Sequence, residues 1–405
     1  MSKRPLEGVR VLDLSRHLAG PTCTQFLADF GAEVIKIERP EIGDDNRRLG
    51  PPFLKNAAGE EVGDSPTFLA TARSKKSVTV DIGNPEGAQL IRDLAKTCDV
   101  VVENFRPGTL AKYGLDYAGI KAVAPDIIYC SVTGFGQTGP NAPRSGVDSL
   151  FQAMSGLMGV TGEPDGPPQK VGFFVGDVLG GIHAVVGILA ALYARDKNGQ
   201  PGQHIDISLV EAMMGAMGHH FQMYLNTGVD PKPAGVGSPD GSVPVHPFRC
   251  KDAPLQVSAA SDASYNRLVA AMGHPELSEV PEYATRVARI QNKAALLHDM
   301  EQIFLTKTRQ EWIDILAPAN VVCAPIYTIG QALNDPHIQA RGMTVEVDHP
   351  VGGKLSLLAN PIRFSESEMT YTAPPLIGQH TDEVLGDVLG LAPDRLKALH
   401  DAKVV

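Results

Sequence analysis

A single aspartate stands out among the residues that could form a covalent bond with a substrate. Asp177 follows a glycine within KVGFFVGDVLGG at 170–181, and it opens the most apolar helical segment of the chain. One interpretation is structural, because an aspartate at a helix N-terminus accepts hydrogen bonds from the first-turn amides and caps the helix. The other is catalytic, because those amides would keep the carboxylate ionised while the glycines admit a substrate to a carboxylate nucleophile. The spacing alone leaves both interpretations open.

Other reactive patterns in the sequence carry less weight. GFGQTG at 134–139 fits the GxGxxG pattern, but prolines at 140 and 143 disfavour the helix that a pyrophosphate needs. We therefore interpret it as a glycine-rich loop at the end of a strand. The sequence contains no GxxxxGK[ST] loop, no GxSxG elbow and no Cys or His spacing typical of metal sites. We expect neither a metal ion nor a nucleoside triphosphate as cofactor.

The composition is typical of a soluble globular protein with two or three domains. The chain has 405 residues, 43% of them hydrophobic, and a formal net charge of −10. No long basic tract offers a surface for nucleic acid, so we expect no such partner. The N-terminal segment lacks the apolar core of a signal peptide, and the uncharged run 178–194 is predicted to be a buried core helix. We expect a cytoplasmic protein that does not enter a membrane.

The elements that position Asp177 follow the alternating pattern of an α/β domain around a mainly parallel sheet. Predicted strands cover 9–14, 33–37, 77–81, 100–103, 127–132 and 204–208, and predicted helices cover 22–30, 85–96, 178–195 and 209–225. The segment NTGVDPKPAGVGSPDG at 226–241 is rich in Gly, Pro and Asp, and we interpret it as a linker or an active-site lid. The predicted domains are a large Rossmann-like domain at 1–225, a smaller α+β domain at 226–330, and a return to the large domain at 331–405.

Several motifs in order along the chain resemble those of one family. They are VLDLSRHLAGP (11–21), GAEVIKIERP (31–40), VVENFRPG (101–108), TGFGQTGP (133–140), the Gly-Asp177 segment, DPH (335–337) and IGQH (377–380). Together they resemble the class III CoA-transferases, the CaiB/BaiF family. The stretch GDDNRRLGPPF at 43–53 resembles members of that family that use succinyl-CoA and dicarboxylate acceptors. The resemblance implies an interlocked homodimer with a Rossmann-like domain from both termini. It also implies that Asp177 attacks an acyl-CoA thioester and then carries CoA as an aspartyl thioester.

The same resemblance implies a set of binding residues. Positions that match the family's coenzyme A contacts are Leu18, Ala19, Arg39, Val80, Asp81, Ile82, Gly83, Asn104, Phe105, Arg106, Lys112, Ser145, Gly146, Val147 and Asp148. The cations Arg39 and Lys112 suit the phosphates of CoA. Leu18 stands where formyl-CoA transferases have glutamine, which disfavours formyl or oxalyl transfer. Arg47 is a candidate clamp for a distal carboxylate, with loop capping or CoA contact as alternatives, and Gly235 and Gly237 are candidate substrate residues.

Two other functions stay open on the sequence. The family also contains 2-methylacyl-CoA racemases, which remove an α-proton with a His and an Asp. In this chain the His position is Val147, and a Glu used by some racemases falls at Arg249, so transfer is favoured over racemisation. A CoA-binding protein without turnover is the second alternative, which the Gly176-Asp177 pair disfavours. The sequence does not identify the CoA donor, the acceptor acid or the role of the 235–241 loop.

Overall fold

The computed structural model describes residues 4–56 and 58–405. The chain divides into two compact units. The first comprises the chain up to Ser155 together with Gly172–Phe221 and Gln339–Val405, and the second comprises Gly156–Val171 and Gln222–Ile338. The predicted domain bounds stay a prediction.

Six strands of the first unit form one parallel sheet. They are β1 (Arg10–Asp13), β2 (Glu33–Glu38), β3 (Lys75–Thr79), β4 (Val100–Glu103), β5 (Ile128–Thr133) and β6 (His204–Ser208). The strand order is β3-β2-β1-β4-β5-β6, with every neighbouring pair parallel. This is an order found in doubly wound α/β sheets, where ligands bind beyond the carboxyl ends of the strands. The predicted α/β class with a parallel sheet is confirmed.

Five further strands lie outside this sheet. They are β7 (Val245–Phe248), β8 (Leu255–Ser258), β9 (Val322–Pro325), β10 (Thr344–His349) and β11 (Gly353–Leu358). In the second unit β7, β8 and β9 form an antiparallel sheet over a core that contains Trp312 and the stacked rings of Phe248 and Phe304. In the first unit β10 and β11 form an antiparallel hairpin.

The α-helices are distributed over both units. They are α1 (Ala19–Asp29), α2 (Pro66–Thr71), α3 (Pro85–Ala95), α4 (Tyr117–Val123), α5 (Asp148–Met154), α6 (Leu157–Val160), α7 (Val175–Asn198), α8 (Leu209–Ala216), α9 (Gly218–Thr227), α10 (Asp262–Ala271), α11 (Arg286–Gln291), α12 (Lys293–Phe304), α13 (Arg309–Leu316), α14 (Ile329–Leu333), α15 (Pro336–Ala340), α16 (Thr381–Leu389) and α17 (Pro393–Asp401). Short 3₁₀ turns occupy Asp45–Arg48, Ala111–Tyr113 and Pro275–Ser278. Side chains of α3, α4, α16 and α17 share one core with the sheet, whereas α1 and α7 pack against each other and the sheet.

Some helix bounds differ from those predicted. Helix α1 begins at Ala19 instead of residue 22, and its first turn contains Gly20 and Pro21. Proline is tolerated there because the backbone N–H groups of the first turn make no hydrogen bonds within the helix. The predicted helix 209–225 is interrupted at Met217 between α8 and α9. Glycines at 215 and 218 flank this break, and glycine has low helix propensity.

Helix α7 is the one helix among the described residues that is long and apolar enough to cross a membrane by length and composition. Its residues Ala184, Ile188 and Leu192 are buried in the first unit at a spacing of four. Val186 and Tyr193 are exposed. One face of α7 therefore packs on the core of the first unit, while its exposed face also carries apolar side chains.

Candidate active site

The candidate site lies where the first turns of α1 and α7 approach each other. A side chain at Gly181 would prevent this approach, since its Cβ would lie 2.7 Å from the carbonyl oxygen of Ala19. Glycine at 181 therefore allows the two helices to pack at backbone distance. At the start of α1, the backbone amide of Ala19 stabilises the charged form of the Asp177 carboxyl.

Asp177 is the third residue of α7 and does not cap it. The helix begins at Val175, and the capping position is Phe174, whose side chain makes no capping hydrogen bond. The interpretation of Asp177 as the helix N-cap is therefore wrong. The helix starts three residues earlier than residue 178, so the aspartate is carried within the first turn. Its side chain is half-buried beside α1.

The capping group of α7 comes from another helix. Asp148, the first residue of α5, accepts a hydrogen bond on Oδ1 from the backbone N–H of Gly176 at 2.7 Å. Its Oδ2 accepts a hydrogen bond from the side-chain amide of Gln152. A Cβ at residue 176 would lie 2.9 Å from Oδ1 of Asp148, so glycine admits this contact. The CoA contact expected at Asp148 stays a prediction, and in this structure the buried carboxylate binds the start of α7.

The environment raises the pKa of Asp177 to about 7. Burial is the largest cause, and the negative charge of Asp148 adds to it, while the backbone amide of Ala19 acts in the opposite direction. The expectation that first-turn amides keep this carboxylate fully ionised is therefore wrong. One amide does not offset desolvation and a neighbouring carboxylate. A carboxylate with a raised pKa is more basic and suits a nucleophile that works near neutral pH.

Most of the expected CoA contacts lie beyond the carboxyl ends of the parallel strands. Leu18 and Ala19 begin α1 after β1, Arg39 follows β2, 80–83 follow β3 and 104–106 follow β4. Ser145, Gly146 and Val147 lie between β5 and α5, directly before Asp148, and Lys112 lies in the 3₁₀ turn after 104–106. Such segments share one edge of a parallel sheet. Their roles in binding stay predictions.

Hydrogen bonds connect three of these segments. The side chain of Asn104 accepts a hydrogen bond from the backbone N–H of Arg16 at 2.8 Å and donates one to the Arg16 carbonyl at 2.6 Å. The guanidinium of Arg106 donates to the hydroxyl of Ser145 at 3.2 Å. The structure thus brings the loop after β1, the turn after β4 and the segment before α5 together.

The two candidate phosphate-binding cations are both on the surface of the first unit. Arg39 forms an ion pair with Asp45. Lys112 lies over the ring of Tyr113, with its Nζ 4.6 Å from the ring centroid. Each side chain can therefore reach an anion, but Arg39 must exchange its carboxylate partner to do so.

Arg47 has a different environment from the one expected for a substrate clamp. Its Nε and Nη2 donate to Glu38 at 2.8 and 2.7 Å, and its Nη1 donates to Asp64 at 2.9 Å. Nη2 also donates to the carbonyl of Pro375, and the guanidinium lies 3.7 Å from the ring centroid of Phe68. Since Arg47 is only 3% exposed and all three nitrogens are engaged, the geometry argues against the substrate role. Its side chain instead links Glu38 and Asp64 in the interior of the first unit.

Gly235 and Gly237 lie in the second unit. Gly235 has a positive φ of 62°, and its N–H donates to the carbonyl of Gly162 at 3.0 Å. A Cβ there would lie 2.8 Å from a carboxylate oxygen of Glu163, and one at Gly237 would lie 3.2 Å from Nζ of Lys293. The positive φ explains the glycine at 235, whereas the flexible end of Lys293 could move away from a side chain at 237. The substrate role of both glycines stays a prediction.

The sequence did not reveal that Asp148 and Glu103, near these segments, are buried carboxyl groups. Asp148 was considered only through the family resemblance, because its link to Gly176 spans 28 residues and leaves no local pattern. Glu103 lies in the VVENFRPG motif and is buried at the end of β4. Burial raises its pKa to about 7. In the described residues, no group of three or more His, Cys, Asp or Glu side chains could hold a metal ion.

Comparison with known proteins places this architecture in a family. The model of the family described as "CoA-transferase family III" matches residues 6–381. The chain belongs to this family. This class III CoA-transferase is an enzyme of a family that transfers coenzyme A, which confirms the resemblance drawn from the motifs.

Relatives of this CoA-transferase match it over nearly its full length. It is 39% identical to a succinate–glutarate CoA-transferase of Agrobacterium fabrum, over 95% of this chain and 96% of the relative. It is 38% identical to a succinyl-CoA–D-citramalate CoA-transferase of Chloroflexus aurantiacus, over 99% and 98% of the two chains. The crystal structure of a CaiB/BaiF family protein from Brucella suis is similar with a TM-score of 0.86 and 38% identity, over 95% of this chain and 100% of that one.

Proposed function

We propose that this enzyme transfers CoA from succinyl-CoA to a small dicarboxylic acid, with Asp177 as the covalent nucleophile. The observation that carries the proposal is the half-buried carboxyl of Asp177, held by the Ala19 amide between two helix N-termini. The names of the relatives support the substrate class, since they act on succinyl groups, glutarate or D-citramalate.

The first half of the reaction loads CoA onto the protein. A carboxylate oxygen of Asp177 attacks the thioester carbonyl of the donor, the C–S bond breaks, and CoA leaves as a thiolate. The product is a mixed anhydride between Asp177 and the donor acid. The thiolate then attacks the aspartyl carbonyl, and the donor carboxylate leaves. CoA is now held as a thioester on Asp177.

The second half returns CoA to the acceptor. The acceptor carboxylate attacks the aspartyl thioester, thiolate leaves, and a second anhydride forms. Thiolate attack on the acyl carbonyl of this anhydride gives the new acyl-CoA and restores the Asp177 carboxylate. Each step exchanges one acyl bond for another, so the sequence of steps consumes no nucleoside triphosphate.

The backbone around Asp177 suits these steps electrostatically. Negative charge develops on the oxygen of each tetrahedral intermediate, and fixed backbone N–H groups stabilise such charge. The Ala19 amide at the start of α1 already stabilises the charged carboxylate. The positive ends of the α1 and α7 dipoles point to the same place and favour the developing anion. Asp148 keeps the first turn of α7 in position by accepting from Gly176.

We also propose the interlocked homodimer, the cytoplasmic location and the 1–225, 226–330 and 331–405 domain division expected for the family. An exposed apolar stripe on α7 supports the dimer, because a second chain would cover it. Its residues Ile182, Val186 and Tyr193 are 39, 61 and 63% exposed on one face of the helix. Light scattering of the purified protein should give twice the chain mass of 43.1 kDa. A mass of one chain would contradict the dimer.

Acceptor screening by mass spectrometry tests the proposed function. The enzyme is incubated with succinyl-CoA and one acid at a time, and we expect new acyl-CoA species with glutarate-like dicarboxylates. Asp177→Asn should abolish them, whereas Asp387→Asn, the same change at an exposed aspartate of α16, should retain them. Parallel reactions in deuterium oxide test racemisation. Deuterium at the α-carbon without exchange of CoA would contradict transfer.

A further inference from the structure

Glu103 holds the turn that follows β4. It is 4% exposed at the carboxyl end of that strand. One oxygen, Oε2, accepts a hydrogen bond from the backbone N–H of Phe105 at 2.7 Å. Ser131 on the neighbouring β5 also stabilises the charged form of this carboxyl, and its Oγ lies 2.9 Å from Nε2 of His204. The backbone of the turn is thus anchored to two strands of the sheet.

The side chains of the same turn extend toward the other expected CoA segments. Asn104 forms two hydrogen bonds with the backbone of Arg16, and the guanidinium of Arg16 lies 4.6 Å from the ring centroid of Phe105. Arg106 donates to Ser145 on the other side. A change in the Phe105 amide position would therefore move all three side chains of 104–106 relative to those segments.

We propose that Glu103 is a positioning residue that holds the 104–106 turn in its CoA-binding conformation and couples CoA affinity to the protonation of its own carboxyl. This inference rests on the proposed function, because the CoA contacts at 104–106 are part of that proposal. Glu103 itself touches neither CoA nor the reacting atoms in this account.

A cavity beside Glu103 gives its carboxyl access to water. The cavity has a volume of about 130 Å³ and is lined by Glu103, Arg106, Tyr117, Ser131, Gln137 and His204, among others. At roughly 30 Å³ for each water molecule, this space holds a few waters that can exchange protons with the carboxyl. The Nε2 of Gln137 is buried and has no hydrogen-bond partner in the structure. A cavity lined by polar groups, one of which lacks a hydrogen-bond partner, favours the binding of water.

Charged and titratable groups face Glu103 from each neighbouring element. Asp206 and His204 come from β6, Tyr129 from β5, Arg106 from the turn itself, and Asp116 and Tyr117 from the start of α4. Burial and the Asp206 charge raise the pKa of Glu103 to about 7, although Ser131 and the Phe105 amide stabilise its charged form. The carboxylate is the better acceptor for the Phe105 amide, since charge-assisted hydrogen bonds are stronger. Protonation below this pKa therefore weakens the anchor, and CoA affinity should fall as pH falls.

Binding of dephospho-CoA to the full-length protein tests this directly. Dephospho-CoA lacks the 3′-phosphate, whose own titration near pH 6 would complicate the comparison. Calorimetry at pH 6 and pH 8 should give a Kd about five- to tenfold higher at pH 6 for the wild type, as expected when one coupled group titrates between these values. Glu346→Gln, the same change at an exposed glutamate of β10, should keep this ratio.

Substitutions at Glu103 separate positioning from packing. Glu103→Gln keeps an oxygen that can accept from Phe105 but cannot titrate in this range, so its Kd ratio between the two pH values should fall below about twofold. Glu103→Ala removes the acceptor and should raise the Kd at both pH values. If folded Glu103→Gln keeps the wild-type ratio, or if Glu103→Ala lowers only the melting temperature, the inference is overturned. A wild type that binds neither dephospho-CoA nor CoA at either pH would instead contradict the proposed function itself.

Discussion

The carboxylate of Asp148 accepts a hydrogen bond from the amide of Gly176, the residue directly before Asp177. One carboxylate thus fixes the backbone that carries another, and its charge raises the pKa of that second carboxyl. The pair combines positioning with electrostatics. It couples the start of α5 to the start of α7, which are distant in sequence but adjacent around the candidate nucleophile.

Removal of the Asp148 charge should shift the pH dependence of the reaction. Asp148→Asn keeps an oxygen that can accept from Gly176 and removes the repulsion of Asp177. The wild-type kcat/KM should rise with pH through about 7, because the nucleophile must be deprotonated. In Asp148→Asn the same rise should occur at lower pH. An unchanged or higher apparent pKa in a folded variant would show that Asp148 does not act on Asp177 in this way.

The buried carboxyl of Asp177 should reduce stability at alkaline pH. Its folded pKa is raised above the value of 3.8 for an ordinary aspartate, so ionisation favours the unfolded chain. The contribution of the protonated Asp177 carboxyl to the free energy of unfolding is fully present below pH 4 and is lost as pH rises through about 7. Asp177→Asn should therefore be about 1–2 kcal/mol more stable than the wild type at pH 8, after allowance for partial exposure. Urea unfolding at pH 4 and 8 measures this, and a gain that is equal at both values would disagree with it.

Close packing at Gly181 should be necessary for the Ala19 amide to stabilise Asp177. Gly181→Ala places a methyl group 2.7 Å from the Ala19 carbonyl oxygen, so α1 must move and take its amide away from Asp177. We expect kcat to fall by about 100-fold or more, since loss of one oriented oxyanion donor lowers kcat by about 10²–10³. Gly215→Ala on α8 is the matched control, because nothing lies within 4 Å of its added Cβ. Equal kinetics for the two variants would remove the proposed role of this contact.

The ion pairs of Arg47 should affect folding more than substrate binding. Arg47→Met leaves the buried carboxylates of Glu38 and Asp64 without their partner, at a cost of about 3–5 kcal/mol. Arg48→Met, at the exposed neighbouring position, should cost much less. Denaturant unfolding and the acceptor KM are measured together. A stable Arg47→Met enzyme with a raised acceptor KM would restore the clamp hypothesis.

The sequence predicted the sheet better than the active site. Runs such as VVVE at 100–103 contain β-branched residues, which favour strands, so the bounds of all six strands of the parallel sheet were predicted to within two residues. The bounds of α1 and α7 were less accurate, because their first turns contain glycine or proline. The raised pKa of Asp177 could not be predicted, since it arises from burial and from Asp148 on another helix.

The environment of Arg47 shows the same limit. Arg47 was predicted to clamp a distal carboxylate of the substrate. Its partners Glu38, Asp64 and Pro375 instead come from three separate segments of the chain. Only the fold brings these groups together around the guanidinium. Long-range charge pairs of this kind leave no periodic signal in one sequence, whereas strand and helix patterns are local.

Trapping of the covalent intermediate tests the central claim most directly. The wild type is mixed with succinyl-CoA in the absence of an acceptor, quenched, digested and analysed by peptide mass spectrometry. We expect CoA joined through a thioester to the peptide that contains Asp177, and borohydride should reduce that aspartyl thioester to an alcohol. The adduct should be absent from Asp177→Asn. An adduct on another residue, or full transfer activity in Asp177→Asn, would contradict the assignment of Asp177 as the nucleophile.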